Sequence, residues 1–275
     1  MNSKLQSKLL KTLVYLCAII TVGTLLSLIV YILVKGVPHL SLDLFSLKYN
    51  SENVSLFPAL VNTLTMTALS LIIAVPLGIF SAIYLTEYAK RGNKLVSIVR
   101  VTAETLSGIP SIVYGLFGYL MFVIALGWGY SLLAGAFTLA IMILPLIMRT
   151  TEEALKSVPD MYREGSFGLG AGKLRTVFKI VLPSAIPGIL AGIVLSIGRI
   201  VGETAALIYT AGTVAQVPDN LLGSGRTLSV HMYALWTEGL NSKESYATAV
   251  ILLLIVVVLN ALSAFIAKRI TKGKK

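Results

Sequence analysis

An all-α membrane fold with six transmembrane helices is what this sequence predicts, and three observations carry the prediction. Hydrophobic residues make up 56% of the chain and charged residues only 13%, against about 45–50% apolar residues in a soluble domain. The mean hydropathy is +0.86, and the apolar residues fall into runs long enough to cross a bilayer, which takes about 20 residues per helix. Lysines and arginines gather at the ends of those runs. The net charge of +11 is thereby explained by membrane orientation, and no nucleic-acid partner is expected.

The spans follow in order. Lys4, Lys8 and Lys11 precede the first, at about 12–34. That run exceeds the roughly 7–15 apolar residues of a signal-peptide core and lacks a small-residue cleavage site, so it reads as a retained helix. A loop through Pro38, Asp43 and Glu52 leads to a second span at about 57–84, kinked by Pro76 because proline removes a backbone donor. The basic loop Glu87–Arg100 follows. A third span is expected at about 106–126, where Gly108, Pro110, Gly115 and Gly118 loosen the helix. After the hairpin Gly127-Trp128-Gly129 comes a fourth at about 132–148, containing Pro145. The fifth, at about 185–211, and the sixth, at about 246–267, are separated by a polar loop carrying Arg226, His231 and Trp236. Residues 12–268 thus form one transmembrane domain between tails 1–11 and 269–275.

Charge sets the orientation. Eighteen of the 23 Lys and Arg residues lie in the two tails, at Lys268 beside the second of them, in the loop 90–100 and in the segment 149–183; Lys35, Lys48, Arg226 and Lys243 lie on the other side, and Arg199 is inside a span. The positive-inside rule places both termini and residues 149–183 in the cytoplasm. Cys17 is the single cysteine, so no intramolecular disulfide forms. His39 and His231 read as separate loop residues, and no metal-ligand cluster is expected.

The segment from Glu164 to Pro183 is a charged, glycine-punctuated island between apolar runs. Ser157-Val158-Pro159-Asp160 has the form of a capping box, which predicts a short helix from about Val158 to Leu169. Gly168, Gly170 and Gly172 then turn the chain. Leu174, Val177, Phe178 and Val181 recur at i, i+3, i+4, i+7, predicting an amphipathic helix along the inner membrane surface, so the two helices make an elbow. Although Gly-Leu-Gly-Ala-Gly-Lys suggests a phosphate loop, Phe167 stands where its first glycine belongs and Leu174 where Ser or Thr is needed. No nucleotide site is expected in this chain.

This island resembles the cytoplasmic loop of bacterial ABC importer permeases, E-A-A, three residues, G, nine residues, I-x-L-P. Glu164, Gly165, Ser166, Gly170, Ile180, Leu182 and Pro183 stand at those separations, Gly165 departing from the usual alanine. Two further segments, Glu104–Gly118 and Gly198–Leu207, are similar to segments of the permeases of the phosphate-specific transporter; Arg226–Tyr233 is more similar to its A-type (PstA) subunit than to its C-type partner. The resemblance covers nearly the whole chain. It implies a type I importer permease fold with a cytoplasmic coupling helix, in a bacterial cytoplasmic (inner) membrane. It also implies pairing with a related C-type permease, an ATPase dimer that alone uses ATP and Mg, and an extracytoplasmic phosphate-binding protein. This chain would bind no cofactor and perform no chemistry. Sulfate, molybdate or an amino acid would be alternative cargoes. A secondary transporter is a different-class rival, and an intramembrane enzyme lacks a motif such as H-E-x-x-H.

The substrate pathway is expected at Arg199 and Glu203. Four residues apart, they would share a helix face, and a charge within a span usually faces a cavity or a partner. Ser184, Gly188, Gly192 and Ser196 recur every four residues on nearly the same face, which is expected at a subunit interface. Arg199 would then offer a planar fork to phosphate oxygens, or simply pair with Glu203. Glu104 is expected to snorkel or to pair with Arg100. The outer loop is expected to form an interfacial helix, either meeting the binding protein or only connecting two spans.

Overall fold

The computed structural model describes the backbone of residues 3–272 other than Arg91 and Leu240. Of the basic residues used for orientation, Arg91, Lys274 and Lys275 lie outside the described residues. The described residues are all helix, turn and loop, with no strand.

Helix α1 (Ser3–Gly36) is apolar on all sides, with none of its most apolar window buried in this chain. Its main tertiary contact is with α11 (Ser242–Lys272), where the Tyr31 and Tyr246 hydroxyls meet at 3.0 Å. Helix α5 (Leu132–Lys156) is its opposite, with 67% of its window buried. It packs on α2 (Phe57–Ile83), α3 (Lys94–Ser107), α4 (Ser111–Gly118), α8 (Leu182–Val201) and α9 (Ala205–Thr210). The core gathers around it, with Met66, Leu139, Met142, Ile143, Ile147, Ile200 and Leu207 all buried. A helix hydrophobic all round belongs either in a core or against lipid; α5 takes the core, and α1 leaves its apolar surface uncovered by this chain. This is a multi-pass membrane protein.

Two expected spans are broken. The third runs as α3 and α4, bent by 104° across residues 108–110. Pro110 cannot donate a backbone hydrogen bond, and it forces Ile109 out of the helical region. Tyr114 ties the corner by donating its hydroxyl to the Leu106 carbonyl at 2.7 Å. Gly115 and Gly118 do not loosen this span. A Cβ on Gly115 would come within 2.8 Å of Ala206 Cα, and one on Gly118 within 2.1 Å of Thr138 Oγ1, so both let helices approach closely.

The fifth span begins earlier and ends earlier than expected. Residues Lys173–Val201 form a helix of 29 residues, made of α7 (Lys173–Thr176), a π-helical turn at Val177–Val181, and α8. The stretch read as a surface helix is therefore the foot of the span itself. Pro183 lacks the N–H that would continue the α pattern, and a π turn just before it accommodates that loss. At the other end α8 stops at Val201, and α9 resumes after Gly202, Glu203 and Thr204. The fourth span continues eight residues past its expected end, to Lys156. Its last turns carry the i,i+4 pairs Arg149–Glu153 and Glu152–Lys156, which favour helix.

Candidate functional site

The residues expected to be functional fall in two places: the elbow after α5 and the break after α8. The elbow starts differently from expectation. Ser157 caps nothing downstream; it closes α5, donating its hydroxyl to the Ala154 carbonyl at 2.8 Å. The short helix α6 (Asp160–Gly168) starts behind Pro159 without a side-chain cap. Asp160 sits in its first turn, where a carboxylate is favoured. Gly170 has φ +82°, a left-handed conformation that glycine adopts without strain. The Ser166 and Thr176 hydroxyls then close the elbow, buried at 2.8 Å from each other.

Arg163 fastens the elbow to the spans. Its Nε and Nη2 both donate to the Glu87 carboxylate, with Nη2 2.7 Å from Oε1. Its Nη2 also donates to the Leu155 carbonyl (2.9 Å) and its Nη1 to the Val158 carbonyl (2.8 Å) and to Asp160 (3.1 Å). Glu87 belongs to the π turn that ends the second span. One guanidinium therefore joins α6 to the ends of α2 and α5. Beneath it, Ala82, Ile83, Leu85, Leu155, Val177 and Val181 form a buried apolar cluster. Sequence reasoning missed this pair, since 76 residues separate Arg163 from Glu87.

The expected coupling residues are divided between α6 and the foot of α8. Glu164, Gly165 and Gly170 are exposed, Ser166 is buried, and Ile180, Leu182 and Pro183 are half-buried at the foot of α8. No atom within 4 Å opposes a Cβ on Gly165, so its small size answers no packing need within this chain. Met161, Tyr162, Phe167, Leu169 and Leu174 are exposed, Leu169 by 91%. In the expected amphipathic helix, Val177 and Val181 are buried while Leu174 and Phe178 are exposed.

At the break, Arg199 and Glu203 are not on one helix face, because α8 ends between them. Gly202 closes α8, and Glu203 turns to the next helix, its Oε1 accepting from the Ala206 N–H at 3.0 Å. Among the described residues, no ion pair joins Arg199 to Glu203. Glu203 is 8% exposed, and its backbone carbonyl accepts from the Ser229 hydroxyl. Arg199 is half-buried and borders an apolar groove with Leu146, Leu195, Gly198 and Asn260. Within this chain, Gly188 and Gly192 of the small-residue stripe pack on α5, while Ser184 is exposed. A Cβ on Gly192 would fall 2.0 Å from Thr150 Oγ1, and one on Gly188 2.7 Å from Ala154 Cβ. Glu104 lies 3.9 Å from Arg149, while Arg100 pairs with Glu152 at 2.8 Å.

The outer loop forms helix α10 (Leu228–Glu238). His231, read as a loop residue, lies inside this helix and is fully buried. Burial, and the nearby Arg226 charge, lower its pKa to about 3.

Comparisons with known proteins agree with this architecture. The family described as "Binding-protein-dependent transport system inner membrane component" matches residues 74–275. The chain is 36% identical over 255 residues to the "Probable ABC transporter permease protein YqgI" of Bacillus subtilis (strain 168), covering 87% of this chain and 86% of that one. It is 40% identical over 210 residues to the "Phosphate transport system permease protein PstA" of Pasteurella multocida (strain Pm70), covering 76% and 74%. Among solved structures, a bacterial alginate ABC transporter, in complex with an alginate pentasaccharide-bound periplasmic protein, superposes with a TM-score of 0.70 at 17% identity. That match covers 97% of this chain and 96% of its counterpart. The chain belongs to the family of binding-protein-dependent transport system inner membrane components.

Proposed function

We propose that this chain is a permease subunit of an ATP-driven importer of inorganic phosphate, and that it performs no chemistry itself. The carrying observation is the elbow, where a short helix with exposed apolar residues is clamped by Arg163 to the ends of two spans. A partner that moves this helix moves the spans with it. The cargo reading is supported by the 40% identity to a protein named as a PstA phosphate permease.

The transmission path is the Lys173–Val201 helix. At 1.5 Å per residue, its 29 residues extend roughly 40 Å, from the elbow to the break at Glu203. Closure of an ATPase dimer on ATP would shift α6, tilt this helix, and change the setting of Arg199 relative to Glu203. With Glu203 held by the Ala206 N–H, the Arg199 guanidinium is free of that carboxylate and offers its donors to phosphate oxygens. Residues 149–183 face the cytoplasm in this reading, on the lysine and arginine distribution. The inner membrane, a related second permease and an extracytoplasmic phosphate-binding protein complete the assembly. ATP and Mg belong to the ATPase.

The test is uptake and ATP hydrolysis in vesicles holding the full assembly, with phosphate against sulfate. Phosphate alone should stimulate both. Stimulation by sulfate instead, or ion-gradient-driven flux through this chain without an ATPase, would overturn the proposal. Unchanged uptake in Arg199→Lys would remove the role given to Arg199.

A further inference from the structure

At the end of α2 away from the elbow, several buried polar groups have no hydrogen-bond partner among the described residues. Arg226 is 4% exposed, yet its Nε and Nη2 are both unpartnered, as is the Asn62 Oδ1, while the His231 ring faces the Val54 backbone. No carboxylate forms an ion pair with Arg226 among the described residues. Its position is nevertheless well fixed. The Arg226 N–H donates to the Val214 carbonyl at 2.9 Å, and its own carbonyl accepts from Asn62 Nδ2 at 3.2 Å. The guanidinium carbon lies 4.9 Å from the centre of the Tyr49 ring, whose edge-on neighbour at 6.2 Å is the His231 ring.

Chemistry narrows what such a cluster takes. Nε and Nη2 lie on one edge of a guanidinium, and their parallel N–H groups grip two oxygens of a carboxylate or phosphate. Arg163 uses that same edge on Glu87. A buried charge without a counter-charge is costly, and a cation–π contact with one tyrosine offsets only part of that cost. The buried imidazole of His231 flanks the ring of Tyr49 and faces the Val54 backbone. Covering the cluster is the turn at residues 48–55, stitched by the Asn50 and Asn53 side chains. It holds Val54, buried and β-branched, at φ +46°, a conformation rare for such a residue. A strained covering turn is a natural place for a buried site to open.

We propose that the Nε–Nη2 edge of Arg226, backed by Tyr49 and flanked by His231, is a binding site for a carboxylate- or phosphate-type oxyanion at the mouth opposite the elbow. The site is separate from Arg199, and it does not rest on which cargo the assembly carries. Its ligand is either a free oxyanion or a carboxylate presented by a docked protein, and both would take the same two N–H groups.

The experiment is hydrogen–deuterium exchange on the full chain, assembled with its partner subunits in nanodiscs, read at residues 48–56 and 226–231. Three additions are compared: inorganic phosphate, chloride at matched ionic strength, and the phosphate-free extracytoplasmic binding protein. At ten times its Kd, the true ligand slows exchange of these amides about tenfold. Protection by phosphate alone assigns a free oxyanion, and protection by the protein alone assigns a presented carboxylate. Arg226→Gln abolishes either. Protection by neither, equal protection by chloride, or protection that survives in Arg226→Gln overturns the proposal. A second variant guards against misfolding: Arg226→Met removes the unpaired charge, so it should melt at a higher temperature than the parent in phosphate-free buffer. A lower melting temperature there, with no protection of the parent chain, would mean that Arg226 is a packing residue only.

Discussion

Arg163 and Arg226 present the same chemical edge at opposite ends of α2, and they differ in what meets it. At the elbow, Nε and Nη2 of Arg163 close on Glu87, and two backbone carbonyls take further donors from the same guanidinium. At the other end, Nε and Nη2 of Arg226 meet neither carboxylate nor carbonyl among the described residues. A satisfied buried network stiffens what it joins, whereas an unsatisfied buried polar group is costly. The elbow is therefore built as a fixed joint, whereas the opposite end of α2 keeps a buried guanidinium edge that the proposed oxyanion would satisfy.

The comparison breaks most easily at the joint. Arg163→Gln leaves Glu87 buried without its counter-charge, and about 3–5 kcal/mol of stability should be lost. Thermal melting of the assembly in detergent reads this, and Glu87→Gln added to it should restore part of the loss. Next in size is Gly192→Leu. With Thr150 Oγ1 2.0 Å from where its Cβ would lie, overpacking of α8 on α5 should cost about 1–3 kcal/mol, measured in the same way. Gly170→Leu meets no neighbour, so only its left-handed backbone is penalised, by about 1–2 kcal/mol. The expected signature is ATP hydrolysis that no longer drives uptake, or loss of the ATPase from the complex, with the spans still inserted.

At the opposite end of α2 the probe is pH. His231 titrates at about 3 in the folded chain, against an ordinary 6.5, so between those values the unfolded state binds more protons. The contribution of this histidine is thus fully present above 6.5 and is lost as pH falls, at about 1.4 kcal/mol per unit. Protection factors of the amides in residues 226–231, taken against the intrinsic exchange rate at each pH, should fall as pH drops below 6.5, and His231→Gln should flatten that slope. Smallest of all, Glu104→Gln should leave the melting temperature unchanged, since Glu104 and Arg149 are both exposed and 3.9 Å apart.

What was legible in the sequence follows the range of each interaction. Spans were readable because hydropathy accumulates over about 20 residues, but that averaging hid both breaks. Gly108 with Pro110 carried a local signal for the first break. At the second, Gly202 was visible, while the turn of Glu203 towards Ala206 depends on the helix having already ended. Ser157 matched a cap pattern, yet Arg149, Glu152, Glu153 and Lys156 were already at helical spacing and carried α5 up to it. The small-residue stripe on α8 spoke correctly of close packing and could not name its partner. Arg163 with Glu87, and Arg226 with Tyr49 and His231, join residues distant in sequence, so only the folded chain brings them together.

Coupling in this chain depends on the elbow acting as a lever fastened by Arg163. The most direct measurement is the amount of phosphate imported per ATP hydrolysed by the full assembly in vesicles, parent chain against Arg163→Gln. The expected result is hydrolysis that persists while uptake falls, so the ratio drops. An unchanged ratio in an intact assembly would contradict the account, because force would then reach the spans without this joint.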